Sequence, residues 1–306
     1  MSQIVKNVSL DVKVQDVAVA TLICMTLSHS RLDDARLASG TVAITGAGSG
    51  IGQALALLCA ARGAKLALCD INDEGLADTA GRARSLGSTV LTRRVDVSDE
   101  AQMAEFAHAA YDQFDSVDLV VNNAGVAVMG GFLDTTVKDW DWLWSINVRG
   151  VVNGSQAFLP TMIEQGRGGH IANVASVAGL LANPDLGAYS ATKFAVVGLS
   201  EALRTELKPH RIGVTAVCPG VINTPITRNT RLRGAGNNDQ RRAKITAIYE
   251  KRGYTPERVA ENILKAVHKD KAVAPIALEA HLMYGASRLA PSLARWAAGR
   301  MASVGK

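Results

Sequence analysis

Thr41-Val42-Ala43-Ile44-Thr45-Gly46-Ala47-Gly48-Ser49-Gly50-Ile51-Gly52 is the stretch on which the fold turns. Five β-favouring residues run without a break into a glycine-rich turn, and a helical apolar pattern, Ile51–Arg62, follows at once. A phosphate group can approach such a turn because glycine leaves the backbone uncovered. The following helix offers unpaired N–H groups and the positive end of its dipole. Gly46, Gly50 and Gly52, with Ser49 and Ile51 between them, are therefore expected to cradle a pyrophosphate.

The next strand-like run, Lys65–Asp70, ends on a carboxylate about twenty residues beyond the turn. Asp70 at that place can accept hydrogen bonds from both ribose hydroxyls and would repel a 2′-phosphate. Ser49 and Ile71 bring no cation to offset the repulsion, so the expected cofactor is NAD rather than NADP.

Outward from there the chain alternates. Strands are expected at Thr41–Thr45, Lys65–Asp70, Thr89–Asp96, Asp118–Asn122, His170–Val174, Arg211–Val217 and Ala272–Pro275. Helices are expected near Ile51–Arg62, Asp73–Ser85, Asp99–Phe114, Val137–Glu164, Ala188–Lys208 and Pro256–His268. Strands apolar throughout, joined by helix-length connectors, predict an α/β fold. It is a single Rossmann-like, doubly wound parallel sheet of about seven strands, with helices on both faces and a ligand crevice beyond the carboxyl ends of the strands. The expected organisation is an N-terminal extension over residues 1–38, a main domain over 39–280 and a helical C-terminal extension over 281–306. The irregular stretch 221–253 is expected to form a substrate lid.

Tyr189 and Lys193 stand at i and i+4 of a helical segment and so share a face. Free tyrosine titrates near ~10, too high for an efficient base at neutral pH; a neighbouring ammonium favours the phenolate. Ser176, just past an apolar strand, is expected at the crevice, where its hydroxyl can hold a substrate oxygen.

These residues resemble the short-chain dehydrogenase/reductase family, in its single-domain branch of simple oxidoreductases. The resemblance covers about residues 38–280. It rests on Thr45-Gly46-x-x-x-Gly50-x-Gly52, Asp96-Val97, Asn122-Asn123-Ala124-Gly125, Asn147, Ser176, Tyr189-x-x-x-Lys193 and Pro219-Gly220 with Thr224. It implies that Asp96 and Val97 flank the adenine and that Asn123, Ala124 and Gly125, with Asn122, floor the cofactor site. It further implies that Val221 and Thr224 hold the carboxamide beside Pro219 and Gly220, and that Asn147 keeps a water in a relay behind Lys193. The catalytic set is then Asn147, Ser176, Tyr189 and Lys193.

Composition is that of a globular protein, 48% hydrophobic and 20% charged. Cys24, Cys59, Cys69 and Cys218 show no ligand spacing, so no metal site is expected, and they suit a reducing, cytoplasmic setting. Net charge is +5, yet residues 228–306 hold 16 Lys/Arg and 6 Asp/Glu, which leaves the rest acidic. With no nucleic-acid motif, this predicts a basic surface near the lid rather than a nucleic-acid partner. The apolar run Val17–Leu27 is too short to span a bilayer. Around Pro291 the tail reads as a packing or subunit-contact helix, with peripheral membrane contact through Arg295, Trp296 and Arg300 as the sharper alternative. His170 and His210 read as strand-edge or surface histidines, and Trp140, Trp142 and Trp144 as packing or subunit contact.

The expected activity is interconversion of a lipophilic secondary alcohol and its ketone. Two alternatives stand beside it. One is a reductase of acyl-carrier-bound ketones, which would use the basic lid (Arg228, Arg231, Arg233, Arg241, Arg242, Lys244) and usually prefers NADP. The other is a catalytically silent NAD-binding regulator, which would lose nothing on Tyr189→Phe. By the resemblance, a homodimer or homotetramer is expected to form through the helices of Val137–Glu164 and Ala188–Lys208.

Overall fold

The computed structural model describes residues 32–234 and 238–292. The run Val17–Leu27, Cys24 and the tail residues Arg295, Trp296 and Arg300 lie outside the described residues. Strands β1 (Thr41–Thr45), β2 (Lys65–Asp70), β3 (Val90–Arg94), β4 (Leu119–Asn122), β6 (Gly169–Val174), β7 (Ile212–Pro219) and β9 (Val273–Ile276) form one seven-stranded sheet in the order β3-β2-β1-β4-β6-β7-β9. All of its pairings are parallel. The order reverses between β1 and β4. At that point helices leave toward opposite faces and a crevice opens above the strand ends.

Helices α2 (Gly50–Ala61), α3 (Asp73–Ser85) and α10 (Pro256–His268) cover one face, whose core includes Leu55, Leu66, Leu119 and Ile263. On the other lie α4 (Glu100–Phe114), α6 (Gly150–Glu164) and α7 (Gly187–Glu206), with Met103, Phe106, Phe158 and Val214 in the core. With both faces covered the strands bury residues on each side, and β1, β4, β6 and β7 are buried throughout. The helix starts follow local chemistry. Asn72, Asp99, Thr136 and Thr255 each accept a first-turn N–H in their side chains, at α3, α4, α5 (Val137–Trp144) and α10.

Several expectations are revised in detail. The segment read as one helix over Val137–Glu164 is α5, a π turn at Ser145–Arg149, and α6. The stretch read as irregular contains α8 (Ile226–Asn229), a short strand β8 (Arg231–Leu232) paired in parallel with β5 (Val128–Met129), and α9 (Asp239–Arg252). A short helix α1 (Asp34–Ser39) precedes β1. Its Leu37, with Leu32, packs into the main core, and its Arg36 pairs with the buried Asp118 at 2.8 Å. His210 is exposed, but His170 is fully buried in the interior of the sheet rather than at an edge. Beyond β9 runs α11 (Leu278–Leu289). Among the described residues no helix is long and apolar enough to cross a membrane.

Candidate active site

One crevice of about 860 Å³ opens at the carboxyl ends of the strands. Its walls include Gly46, Ser49, Gly50, Ile51, Asp70, Asp96, Val97, Asn123, Ala124, Gly125, Ser176, Tyr189, Lys193, Pro219, Gly220, Val221 and Thr224. Among the site residues expected from the sequence, Gly52, Asn122 and Asn147 stand behind the wall.

At the glycine turn the backbone is left-handed at Gly46 (φ +66°) and Gly50 (φ +54°), a conformation that side chains rarely tolerate. A Cβ at Gly52 would collide with the carbonyl oxygen of Gly46, so the helix can close on the strand only without one. Ser49 caps α2 without a side-chain hydrogen bond, and no acidic residue sits in the first turn. The N–H groups there remain available to an anion. The turn is held from below: Asn123 Nδ2 donates to the carbonyls of Thr45 (2.9 Å) and Gly46 (3.0 Å), and Thr45 Oγ1 accepts from the N–H groups of Asn123 and Ala124.

Asp70 lies at the end of β2, its Oδ2 accepting from Gly48 N at 2.8 Å and its Oδ1 from Asn72 N at 2.9 Å. Arg94 is its register neighbour on β3, but Arg94 is paired with Asp73 at 3.4 Å and does not line the crevice. Asp96 accepts from the N–H and hydroxyl of Ser98. Val97 packs directly against Gly150. The residues present thus fit a dinucleotide: an uncovered turn and helix end for phosphates, and a carboxylate where a ribose would lie.

The chemical end is built on α7 and the turns facing it. Lys193 is buried, and its Nζ donates to Val174 O at 2.9 Å. Burial pulls its ammonium down to about 8, from an ordinary value of 10.5. That Nζ lies 5.6 Å from the centroid of the Tyr189 ring. Gly125 is flanked by both Lys193 and Asn147: a Cβ there would be 3.4 Å from Nζ and 3.3 Å from Asn147 Oδ1.

Asn147 sits in the π turn, wholly buried, its Oδ1 accepting from Val126 N (2.8 Å) and its Nδ2 donating to Val126 O (2.9 Å) and Thr192 Oγ1 (3.1 Å). Thr192, which no sequence motif marked, donates in turn to Tyr189 O and so ties α7 to the π turn. Ser176 caps the short turn Val177–Gly179, its Oγ accepting from Ala178 N at 3.1 Å.

Beyond the chemical end the wall is apolar, with Met129, Leu181, Leu186, Ile226 and Leu232 among its residues. Contributors not foreseen include Leu186, Met283 from α11, and Trp142, which lines the crevice rather than serving only as packing. The buried Cys59, Cys69 and Cys218 are free, and burial pushes the Cys59 and Cys218 thiols up to about 12, which keeps them protonated and unreactive.

A parallel doubly wound sheet with such a crevice at its switch point defines a Rossmann-like α/β fold of the kind that binds dinucleotides. The family model for short chain dehydrogenase matches residues 40–234, and the chain belongs to the short-chain dehydrogenase/reductase family. It is 39% identical over 258 residues to the Mycobacterium tuberculosis protein EphD, named as an oxidoreductase, covering 83% of this chain but 44% of EphD. The chain therefore spans under half the length of that relative. It is 42% identical over 241 residues to SadH of Mycobacterium tuberculosis, also named as an oxidoreductase, covering 78% of this chain and 86% of SadH. Among solved structures, a short-chain dehydrogenase/reductase from Burkholderia phymatum in complex with NAD is similar with a TM-score of 0.73 and 34% identity, covering 82% of this chain and 94% of that one.

Proposed function

We propose that this oxidoreductase interconverts a lipophilic secondary alcohol and its ketone with NAD, using Tyr189 as acid/base, Ser176 and Lys193 beside it, and Asn147 behind them. The observation that carries the reading is the approach of Lys193 and Asn147 to the same Gly125 turn, with the Tyr189 ring 5.6 Å from Nζ and Ser176 on the same crevice wall.

Held by the glycine turn and Asp70, NAD would supply hydride acceptance for the alcohol carbon and, when reduced, hydride donation for the ketone. The chain handles the proton. The Tyr189 phenolate takes it from the alcohol oxygen, and in the reverse direction the Tyr189 hydroxyl delivers it to the ketone oxygen. The Lys193 ammonium favours the phenolate and so brings the phenol closer to the working pH. The Ser176 hydroxyl, whose oxygen already accepts from Ala178 N, donates to the substrate oxygen and fixes its direction. Asn147 commits its amide to Val126 and Thr192, so it serves by placing the Gly125 turn and α7 relative to each other. The apolar wall beyond the chemical end supports a lipophilic substrate.

The acyl-carrier alternative depended on a lid offering free cations, and much of that charge is used internally. Arg233 is bound to Asp139, Arg231 is stacked on Trp142, Arg241 reaches Asp185 at 3.4 Å, and Arg242 donates to the carbonyls of Arg228 and Thr230. Lys244's side chain lies outside those described. A homo-oligomer built on α5–α6 and α7 accords with the exposed Trp144 and Phe194 on those helices. Peripheral membrane contact would draw on Leu278, Leu282 and Leu289, exposed along α11; a cytoplasmic setting completes the reading.

The test is a screen of secondary alcohols with NAD and ketones with NADH, followed by Tyr189→Phe. Loss of the phenol should lower kcat by about 10²–10⁴-fold while leaving NADH binding intact. A silent regulator would show no turnover to lose. Cofactor choice is tested by Asp70→Ser, which should raise kcat/KM with NADPH at least tenfold. A wild-type enzyme that already prefers NADPH would refute the role given to Asp70.

A further inference from the structure

Asp139 lies outside the crevice, and no motif marks it, yet it is the most heavily engaged carboxylate near the substrate end. It is 1% exposed, at the third position of α5. Its Oδ2 accepts from the Thr136 N–H at 3.2 Å and its backbone N–H donates to Thr136 Oγ1 at 3.2 Å, closing the capping box that starts the helix, and Oδ2 also accepts from the Thr136 hydroxyl at 2.8 Å. The same carboxylate receives the lid. Arg233 binds it through two bonds, Nε at 2.7 Å and Nη2 at 2.6 Å, and Arg231 Nη1 approaches to 3.7 Å. Bidentate pairing of this kind fixes direction as well as distance. Together Arg233 and the Thr136 groups hold the carboxyl well below the usual carboxylate range, against the opposing pull of desolvation.

The two arginines flank Leu232, which is 3% exposed and lines the crevice. Their backbone N–H groups donate to Ala127 O (3.1 Å) and Met129 O (2.8 Å), so β8 lies along β5 in register, Val128 opposite Arg231 and Met129 opposite Leu232. The approach is close: a Cβ on Gly130 would stand 2.7 Å from Arg233 Cβ. Arg231 also lays its guanidinium over the Trp142 ring, 3.4 Å from the centroid, and Trp142 lines the crevice. One buried carboxylate thus places two wall residues. It sets Leu232 through Arg233 and the Trp142 indole through Arg231 and the helix they share.

We infer that Asp139 is a positioning residue for substrate specificity: it anchors the β8 strap through Arg231 and Arg233 so that Leu232 and Trp142 form a fixed apolar wall that selects bulky, ring-bearing ketones and alcohols over small ones. The inference rests on the proposed alcohol–ketone reading for its substrate. The anchor itself does not. A two-residue strand pair cannot hold a lid unaided, because so short a ladder contributes too few hydrogen bonds to offset the entropy of ordering it. The Asp139 ion pair is the buried bidentate contact at the strap itself, beside the Arg241–Asp185 and Arg242 contacts further along the lid, and a rigid wall discriminates by shape where a loose one adapts.

The test uses the full chain with Asp139→Asn and Arg233→Gln. The second leaves the α5 capping box intact, so agreement between them isolates the lid from the helix. NADH-dependent reduction of 2-decalone and of 2-butanone is measured with NADH affinity, and chymotrypsin cleavage after Leu232 is followed by mass spectrometry without substrate. Both variants should raise KM for 2-decalone at least tenfold, leave KM for 2-butanone and Kd for NADH within about twofold, and speed the cleavage at least tenfold. Unchanged 2-decalone kinetics in both variants would overturn the inference. So would a joint loss of NADH affinity and of both ketone activities, which marks a fold-wide defect. If the wild type reduces neither ketone, the proposed substrate class and its selection fail together; faster cleavage would then sustain the anchor alone, and unchanged cleavage would remove that as well.

Discussion

Among single residues, the sharpest conflict between stability and chemistry is at Lys193. Its ammonium is buried, donates to Val174 O at 2.9 Å, and is drawn down to about 8 by desolvation. A lysine whose folded value lies below its unfolded value of 10.5 penalises the native state in full below pH 8, and the penalty fades as pH rises toward 10.5. That depression corresponds to about 3 kcal/mol, set against about 1 kcal/mol for the hydrogen bond. Lys193→Met should therefore stabilise the cofactor-free chain by roughly 1–2 kcal/mol at pH 7, with a smaller gain at pH 10, while abolishing turnover. Thermal unfolding at the two pH values checks this; a lower melting temperature for the variant at pH 7 would count against the penalty. The role proposed for Lys193 beside the Tyr189 phenol would account for retaining such a cost.

At the scale of elements, the glycine turn illustrates how much one missing atom decides. Gly52 is in the first turn of α2, and a Cβ there would strike backbone, the Gly46 carbonyl, which no rotamer change can relieve. Gly52→Ala should move α2 off β1, weaken NADH binding at least tenfold and lower the melting temperature, whereas Gly81→Ala, in α3 with open space around it, should be neutral or slightly stabilising. This region was legible in the sequence because its signals are local: β-rich residues, glycines, a helix period and a terminal carboxylate all lie within thirty positions. Asp73–Ser85 and Pro256–His268 were legible to the residue for the same reason, with caps at Asn72 and Thr255. What escaped is non-local. The π turn at Ser145–Arg149 interrupts a continuous helical pattern to bring Asn147 under Val126, twenty-one residues away. The helix α9 hides in a stretch of Arg, Asn and Gln with little amphipathic pattern. Asp139 meets Arg233 across 94 positions. No spacing rule reaches that far, so the motif residues that share the crevice could be read from the chain and the Asp139 anchor of the β8 strap could not.

For the molecule as a whole, acid resistance depends on a histidine far from the crevice. His170, the second residue of β6, is fully buried where the sheet meets the β9 side. Its Nε2 lies 2.8 Å from Thr215 Oγ1 on β7, and its Nδ1 has no hydrogen-bond partner. Asp270 faces it at 3.9 Å, but that carboxylate is taken by Arg204 at 2.6 Å, and Arg204 and His268 both oppose a second positive charge nearby. Desolvation first, and those cations after it, carry the imidazole down to about 4 from 6.5, so it is neutral in the folded chain. Between those two values the unfolded chain binds a proton that the native chain does not, so stability falls as pH drops from about 6.5 to about 4. The loss amounts to at most about 3 kcal/mol. His170→Gln keeps a polar partner for Thr215 without a titrating ring. It should lose less melting temperature than the wild type between pH 7 and pH 4.5, although it is the less stable of the two at pH 7. Equal slopes would mean that the ring titrates alike in both states.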